Sequence, residues 1–213
     1  MKFMKPIHLL TSFLVYHLIL VVGFGQLPSA RFDQLYPPSA QRGSEAEVTV
    51  SGQDLEGVQW LKFSHAGIKA EPKKDEDGEI VPNVFNLKVA GNAPLGIHKG
   101  WIGGGKFGAS NYRSFVVGDL PEVEAGAGGA SMEKPFEIEL GQTVLGKAPA
   151  NKFAWFKFSA KKGQRVLVEV SIKDIDSKLT PSIALYDSAG NQLQSDPQNG
   201  LLDFTAGADG DWL

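Results

Sequence analysis

Apolar and polar residues alternate along most of the chain beyond its N-terminal segment, and glycine and proline separate the alternating runs. The alternation is clearest in five segments: 46–52, 84–90, 153–159, 164–172 and 182–187. A period of two is the pattern of a strand with one buried face, whereas apolar positions of an amphipathic helix recur about every 3.6 residues. No long run beyond the N-terminal segment has the helical period. We therefore predict an all-β fold in which helix is a minor component.

Each alternating segment assigns one set of residues to a core-facing side. The predicted buried faces are Val48 and Val50; Phe85, Leu87 and Val89; Phe156 and Phe158; Val166, Val168 and Val170; and Ile183 and Leu185. The same alternation turns Trp155 away from Phe156 and Phe158, and it turns Tyr186 away from Leu185. We therefore expect two aromatic side chains on the outer surface of the second half of the chain.

The composition changes between residues 118 and 135. Residues 125–130 read AGAGGA and carry no side chain large enough to build a core, which is typical of a flexible linker. The chain on either side is long enough for one small sandwich. We predict two β-sandwich domains, at 31–118 and 132–213, joined by a Gly/Ala-rich linker at 119–131.

The first 25 residues have the features of a secretory signal peptide. Lys2 and Lys5 precede the apolar run LLTSFLVYHLILVVGF, and Gly23 and Gly25 place small residues before a cleavage position. The run is interrupted by polar residues and falls short of the roughly 20 apolar residues of a membrane span. We expect export to the periplasm, cell surface or extracellular space, with cleavage after Gly25 and, as the alternative, after Ala30.

Charge and cysteine content exclude several classes of partner and site. The whole chain has a formal charge of −3, and loss of the signal peptide removes two lysines and no acids. An acidic chain is a poor partner for nucleic acid or an anionic membrane surface, and we predict neither, beyond the signal peptide itself. The chain has no cysteine, so a disulfide framework and a thiolate metal site are both excluded. Export without cysteine favours a bacterial envelope.

Residues 132–213 resemble the bacterial pre-peptidase C-terminal domain. The resemblance rests on the aromatic strand WFKF at 155–158, the hairpin AKKGQRVLVEV at 160–170, SIALYDSAGNQL at 182–193 and ADGDWL at 208–213. It implies a jelly-roll-like β-sandwich of the kind appended to exported proteases and other surface proteins. In this family the final aromatic begins a strand that continues and pairs into the sheet. Because the sequence stops at Leu213, we expect the domain to be incomplete and the native protein to be longer.

Residues 31–118 are similar to the immunoglobulin-like modules, of the IPT/TIG type, that precede such domains in large exported bacterial proteins. The points of likeness are the sequence YPP at 36–38, Gly43 before the first strand, Gly52 in the turn VSGQDL, and PLG at 94–96 before a further strand. The resemblance implies an immunoglobulin-like sandwich followed by a jelly-roll-like one.

No catalytic constellation is visible. Only His65 and His98 lie beyond the signal peptide, neither has an acid at metal-ligand spacing, and no serine lies in a Gly-x-Ser-x-Gly elbow. We interpret both histidines as solvent-side or turn residues and predict no catalytic residue. A catalytic domain beyond Leu213 remains compatible with the sequence.

Two further segments suggest ligands but favour turns. Asp75, Asp77 and Glu79 surround Gly78 and offer hard oxygen ligands for calcium, but the acids at fixed steps that a calcium loop needs are absent. The positions before Trp155, where some relatives bind calcium, contain no acid, and Asp174, Asp176 and Asp187 are scattered. The glycine-rich run 101–111 lacks the Gly-Lys-Ser/Thr of a phosphate loop, so we predict a hairpin there. We predict no metal and no cofactor.

Trp155 and Tyr186 are the candidate ligand-binding residues. Two outward aromatic rings on a sandwich face form a stacking platform for a sugar ring or a polypeptide. The alternative is that the linker or another strand covers them.

Three functions follow from these observations. The first is a non-catalytic exported accessory module that spaces, displays or binds a protein or polysaccharide of the envelope or extracellular matrix. The second is the non-catalytic N-terminal region of a secreted hydrolase, a protease by family association, which is an analogy from fold to function. The third is a free-standing lectin-like binder.

Overall fold

The computed structural model describes residues 28–147 and 152–213. The predicted signal peptide and its cleavage after Gly25 lie outside the described residues. Within the described ranges, no helix is long and apolar enough to cross a membrane.

Nearly all regular secondary structure of the described residues is β-strand, which confirms the all-β prediction. The strands are β1 (Arg31–Tyr36), β2 (Ser39–Gln41), β3 (Glu45–Gln53), β4 (Trp60–Phe63), β5 (Ile68–Lys74), β6 (Ile80–Val89), β7 (Gly96–Gly103), β8 (Tyr112–Gly118), β9 (Glu122–Gly126), β10 (Phe136–Glu137), β11 (Thr143–Gly146), β12 (Phe156–Ala160), β13 (Arg165–Glu169), β14 (Ile183–Tyr186), β15 (Gln192–Asp196), β16 (Leu201–Thr205) and β17 (Gly210–Trp212). Helix is limited, in the part of the chain that the structure describes, to one 3₁₀ turn at Lys173–Ile175.

The first eight strands form two four-stranded sheets that enclose one core. One sheet has the order β1-β3-β6-β5 and the other the order β2-β8-β7-β4. Their facing sides supply the buried residues of this N-terminal sandwich, which comprises residues 31–118. The buried side chains from the first sheet include Phe32, Val48, Val50, Phe85, Leu87 and Val89, and those from the second include Leu61, Ile102, Phe115 and Val117. The predicted inward faces of β3 and β6 are therefore confirmed.

Gly52 lies within β3, not in the turn where we expected it. It pairs with Phe32 at an irregularity of β1, where the register shifts between Phe32 and Gln34. A β-carbon on Gly52 would collide with the carbonyl of Arg31, so only glycine allows the two backbones to approach this closely. The turn itself follows at Asp54, whose φ is 55°.

The strands from β10 onward enclose a second, smaller core. β12 pairs with β10 and β17, and the ladders β13–β16 and β14–β15 complete the arrangement. Leu213 exchanges two backbone hydrogen bonds with Tyr186, which joins the end of β17 to β14. The core contains Phe158, Ala160, Val166, Leu185, Leu202, Ala206 and Trp212, with Val168, Ile183 and Phe204 packed against it.

Val170 does not belong to this core, although the alternation of residues 164–172 assigned it there. Its side chain is 40% exposed. The reason is that β13 ends at Glu169 and the chain leaves the ladder with β16 at that point. A period of two predicts burial only as long as the strand continues.

The range for which we predict a linker contains paired backbone. Residues Glu122–Gly126 form β9, which runs parallel to β11. Further along, Gly129 exchanges backbone hydrogen bonds with Trp155 in both directions. A side chain at Gly128 would meet Ala154 and Phe156, so the small residues permit a close approach to the start of β12. The same composition that suggests flexibility also allows this contact.

Two carboxylates of β9 accept hydrogen bonds from the N-terminal sandwich. The Ser39 hydroxyl donates to Glu122 Oε1 at 2.7 Å, and the Tyr36 hydroxyl donates to Glu124 Oε1 at 2.9 Å. Burial is the main reason that the pKa of Tyr36 rises to about 12, and the hydrogen bond to Glu124 adds to it. Burial also raises the pKa of Glu122, and the hydrogen bond from Ser39 only partly opposes this effect.

We predict that Glu122→Gln stabilises the protein at neutral pH. A carboxyl whose pKa is raised by folding is favoured in its protonated form, so its stabilisation is complete below its ordinary pKa and is lost as the pH rises through the folded-state value. Glutamine keeps an acceptor for Ser39 and carries no buried charge. Urea unfolding at pH 7 should show a higher free energy of unfolding for the variant, and the difference should shrink at pH 4.

The control is Glu71→Gln, which neutralises an exposed carboxylate on β5. Its difference from wild type should stay small at both pH values. A variant at Glu122 that is less stable at pH 7 than at pH 4, relative to wild type, would contradict the assigned burial effect.

The two cores are separate, so we predict two separable unfolding transitions. Phe115→Ala should lower the first core's stability by about 3–5 kcal/mol and Leu202→Ala the second core's by about 2–5 kcal/mol. Calorimetry should show each variant moving a different transition. One transition that both variants shift equally on every probe would mean that the two cores unfold as a unit.

Candidate binding site

Trp155 and Tyr186 lie side by side on the outer surface of the second core. Their ring centroids are 5.4 Å apart, with planes inclined by 53°. A third ring extends the group, because the centroid of Phe153 lies 6.4 Å from that of Trp155. Phe153 is 77% exposed, more than any other large apolar residue of the described chain. We call Phe153, Trp155 and Tyr186 the aromatic cluster.

Backbone pairing fixes two of the three rings. Trp155 directly precedes β12 and exchanges two backbone hydrogen bonds with Gly129. Tyr186 is the last residue of β14, and its backbone is bonded in both directions to Leu213. Its hydroxyl also donates to Gln192 Oε1 at 3.0 Å. Since the backbone positions are held by ladders, little conformational freedom remains to be lost when a ligand binds.

The opposite side of the same strand explains why these rings face outward. Phe158 packs into the core against Phe204, with ring centroids 6.1 Å apart, and Phe204 lies 5.5 Å from Trp212. The rings of Phe156 and Phe136 meet edge to face, with centroids 6.5 Å apart. Phe156, which we also assigned to the buried face, is only half-buried and lies outside the second core. Because consecutive side chains of a strand point to opposite faces, burial of Phe158 turns Trp155 away from the core.

The charge next to the cluster is compensated. Lys157, two residues beyond Trp155 on the same face of β12, has its Nζ 2.6 Å from Glu137 Oε1 and 3.9 Å from Asp211 Oδ2. The hydrogen bond to Glu137 is the main reason that the pKa of Lys157 is raised. The surface around Trp155 therefore combines apolar rings with a neutralised lysine.

We considered as an alternative that the linker or another strand covers the aromatic rings. This is partly true of Trp155. Its ring is half-buried, and residues 128–129 run beside its backbone. Phe153, by contrast, is largely exposed. The structure thus brings the two predicted site residues together and leaves an apolar surface accessible at one end of the cluster.

Phe153 is the member that our sequence analysis did not single out. It stands two residues before Trp155, so the alternation of residues 153–159 already assigns it to the same face. The alternation of this segment was therefore enough to place Phe153 beside Trp155. The short distance between the Trp155 and Tyr186 rings was not predictable, because it depends on pairing between segments that are far apart in the sequence.

The histidines occupy different environments. His65 lies in the turn between β4 and β5, where its Nδ1 accepts a hydrogen bond from the backbone N–H of Gly67 at 3.0 Å. His98 is not a solvent-side residue as we predicted, because it lies within β7 and is only 8% exposed. Its Nε2 is 2.9 Å from the carbonyl of Pro94, and since a carbonyl only accepts, this nitrogen donates. Their rings are 5.9 Å apart.

Three of the acids that suggested calcium accept hydrogen bonds from the protein, Asp75 and Asp187 within their own turns and Asp176 from a distant strand. Asp75 Oδ1 accepts backbone hydrogen bonds from Asp77 at 3.0 Å and from Glu79 at 2.9 Å, in the turn between β5 and β6. Hydrogen bonds from Asn191, first from its side chain, lower the pKa of Asp187. Asp176 Oδ2 accepts from the backbone N–H of Ser114 at 2.6 Å. Residues 28–147 and 152–213 contain no group of three or more potential ligands placed to hold a metal ion.

The glycine-rich run at 101–111 comprises the end of β7 and the connection from β7 to β8, which is formed by residues 104–111. Gly104 and Gly108 have φ values of 85° and 79°, in the region that favours glycine. The segment therefore has the turn conformation that we predicted from its composition.

Comparisons with known proteins give no family assignment. No model of a known protein family matches the chain, and no curated protein sequence is significantly similar to it.

Proposed function

We propose that the protein is an exported, non-catalytic accessory module of a larger bacterial envelope or extracellular protein, and that it binds a neutral polysaccharide through the aromatic cluster. The observation that carries the proposal is the contiguous arrangement of three aromatic rings, of which Phe153 is exposed and Trp155 and Tyr186 are half-buried. Aromatic rings pack well against the apolar C–H face of a sugar ring and lose little side-chain entropy on binding. Lys157, two residues beyond Trp155, is paired with two carboxylates, and this favours a neutral ligand over a charged one beside the Trp155 ring.

Export is supported by the signal-like N terminus. The absence of cysteine from an exported chain favours a bacterial envelope. The resemblance of residues 132–213 to pre-peptidase C-terminal domains supports an accessory role by analogy, since these domains accompany other functional parts of exported proteins. A polypeptide partner is the alternative for the same rings. A binding assay with both polysaccharides and a protein surface distinguishes a polysaccharide partner from a polypeptide partner.

The non-catalytic assignment is supported by how the described titratable groups are used. The ring of His65 accepts a hydrogen bond from the backbone, and the ring of His98 donates one to the backbone. Neither has a serine or threonine hydroxyl as its hydrogen-bond partner within the described residues, as an activated nucleophile would require. The carboxylates of Asp75 and Asp187 likewise accept hydrogen bonds within their own turns.

The test is binding of the mature chain, from Gln26, to insoluble cellulose, chitin, xylan and peptidoglycan, with gelatin as the protein surface. We expect saturable binding to at least one polysaccharide. Trp155→Ala/Tyr186→Ala should weaken it at least tenfold, which corresponds to about 1.4 kcal/mol, because the platform is removed. Circular dichroism should confirm that the variant is folded.

Leu167→Ala is the matched control, because Leu167 is a 61% exposed apolar side chain outside the aromatic cluster. Its affinity should equal that of wild type. Unchanged binding of the double variant to every polysaccharide that wild type binds would refute the role of the cluster. Binding to gelatin alone, lost in the double variant, would replace the polysaccharide with a protein partner.

A further inference from the structure

The outer face of the sheet formed by β4, β7 and β8 carries a second set of aromatic residues, which the sequence analysis did not identify. The inner face of these strands is fixed by Leu61, Ile102 and Phe115, which belong to the first core. Residues an odd number of positions away from these along each strand therefore point outward. They include Trp60 and Lys62 on β4, Lys99 and Trp101 on β7, and Tyr112 on β8. We call these five residues the lysine–aromatic face.

The register aligns three of these residues in one row. Lys62 is opposite Trp101, and Trp101 is opposite Tyr112. The rings of Trp101 and Tyr112 are 6.3 Å apart and meet edge to face at 65°. Tyr112 is 45% exposed, so the row is open to solvent at its β8 end.

The Trp60 ring packs beside this row against Gly103, the last residue of β7, and Gly104, which follows it. It is opposite Gly103, and a β-carbon on Gly103 or on Gly104 would collide with the Trp60 ring. The absence of side chains at these two positions lets the indole lie on the strand backbone. The glycine-rich run, which we compared with a phosphate loop, thus also provides the backbone surface against which the Trp60 ring packs.

Two lysines lie over these rings without acidic partners. Lys62 Nζ is 4.9 Å from the Trp60 centroid, and Lys99 Nζ is 4.6 Å from the Tyr112 centroid. Neither forms an ion pair within 4.0 Å with any acid in the described part of the chain. Asp176 lies at the border of the face, at the backbone of Ser114, where its carboxylate already accepts a hydrogen bond.

What sets Lys62 and Lys99 apart is that each lies over an aromatic ring, which places positive charge beside apolar surface on a chain that is acidic as a whole. The contrast with the aromatic cluster is direct, since Lys157 beside Trp155 contacts two carboxylates. A ligand that uses both features of the lysine–aromatic face must offer flat apolar surface and negative charge at short intervals. An acidic polysaccharide has both, because each sugar ring presents a C–H face and each carboxylate or sulfate an acceptor for a lysine.

We propose that the lysine–aromatic face binds an acidic polysaccharide, with the rings of Trp101 and Tyr112 packing against sugar rings and Lys62 and Lys99 pairing with carboxylate or sulfate groups. This site shares no residue with the aromatic cluster, so it does not rest on the function proposed for that cluster. Two cations on an otherwise acidic chain are too few for the phosphate backbone of a nucleic acid, which attracts proteins through many lysine and arginine contacts.

The test measures the affinity of the mature chain for polygalacturonate and dextran sulfate, with uncharged dextran as the reference polymer. Wild type should bind at least one polyanion, more weakly as salt rises because exposed charge pairs are screened. Lys62→Gln/Lys99→Gln should weaken binding at least tenfold, whereas Lys62→Arg/Lys99→Arg should retain most of it. The two polymers distinguish a carboxylate ligand from a sulfate ligand.

The matched control is Lys69→Gln/Lys161→Gln, which makes the same change in net charge at two exposed lysines outside the face. It should leave the affinity within twofold of wild type. Tyr112→Ser tests the aromatic contribution at a half-exposed position and should also weaken binding, with a thermal melt to verify folding.

Three results would overturn the proposal. The first is no binding of wild type to either polyanion. The second is an equal loss in both lysine-to-glutamine pairs, which would mean that net charge alone matters. The third is equally tight binding to single-stranded DNA. The Trp155→Ala/Tyr186→Ala variant should bind polyanions as wild type does, so a failure at one site remains distinguishable from a failure at the other.

Discussion

Burial of one face of the core-forming strands is the constraint on which both candidate surfaces depend. In the N-terminal sandwich, Ile102 and Phe115 fill the space between two sheets, and this forces Trp101 and Tyr112 to the outside. In the second core, Phe158 has the same effect on the residues that alternate with it. Neither surface requires an unusual backbone. Each is the outer side of a strand whose inner side is determined by packing.

The two surfaces differ in charge rather than in geometry. Both consist of aromatic rings at centroid separations between 5.4 and 6.4 Å. The aromatic cluster lies beside a lysine with two carboxylate neighbours, whereas the lysine–aromatic face has two lysines above its rings. Similar apolar contact area is thus combined with two different electrostatic environments. Electrostatic complementarity contributes more to the choice of ligand than to raw affinity, so the two faces are suited to different polymers.

The alternation of apolar and polar residues predicted which face of a strand is buried. It did not predict strand ends or contacts that depend on segments distant in the sequence. The inward faces of β3 and β6 followed directly from Val48, Val50, Phe85 and Leu87. Val170 was assigned to the core because a pattern does not show where a strand ends. His98 was predicted to be solvent-exposed because histidine is a polar residue type, but it is buried because it lies on the inner side of β7. The contact between Trp155 and Tyr186 arises from pairing of each backbone with a distant segment, so parity predicted only that both rings face outward.

The parallel pairing of β9 with β11 has a mechanical consequence for the link between the two cores. β9 is entered from the N-terminal sandwich at Glu122, and β11 is left at Gly146 in the direction of β12. Tension along the chain would therefore pull the start of one strand against the end of its parallel neighbour. In that geometry the inter-strand hydrogen bonds are sheared together and share the load, instead of opening one after another as they do when a hairpin is unzipped. The joint between the cores is thus built to resist stretching even though its sequence is composed largely of small residues.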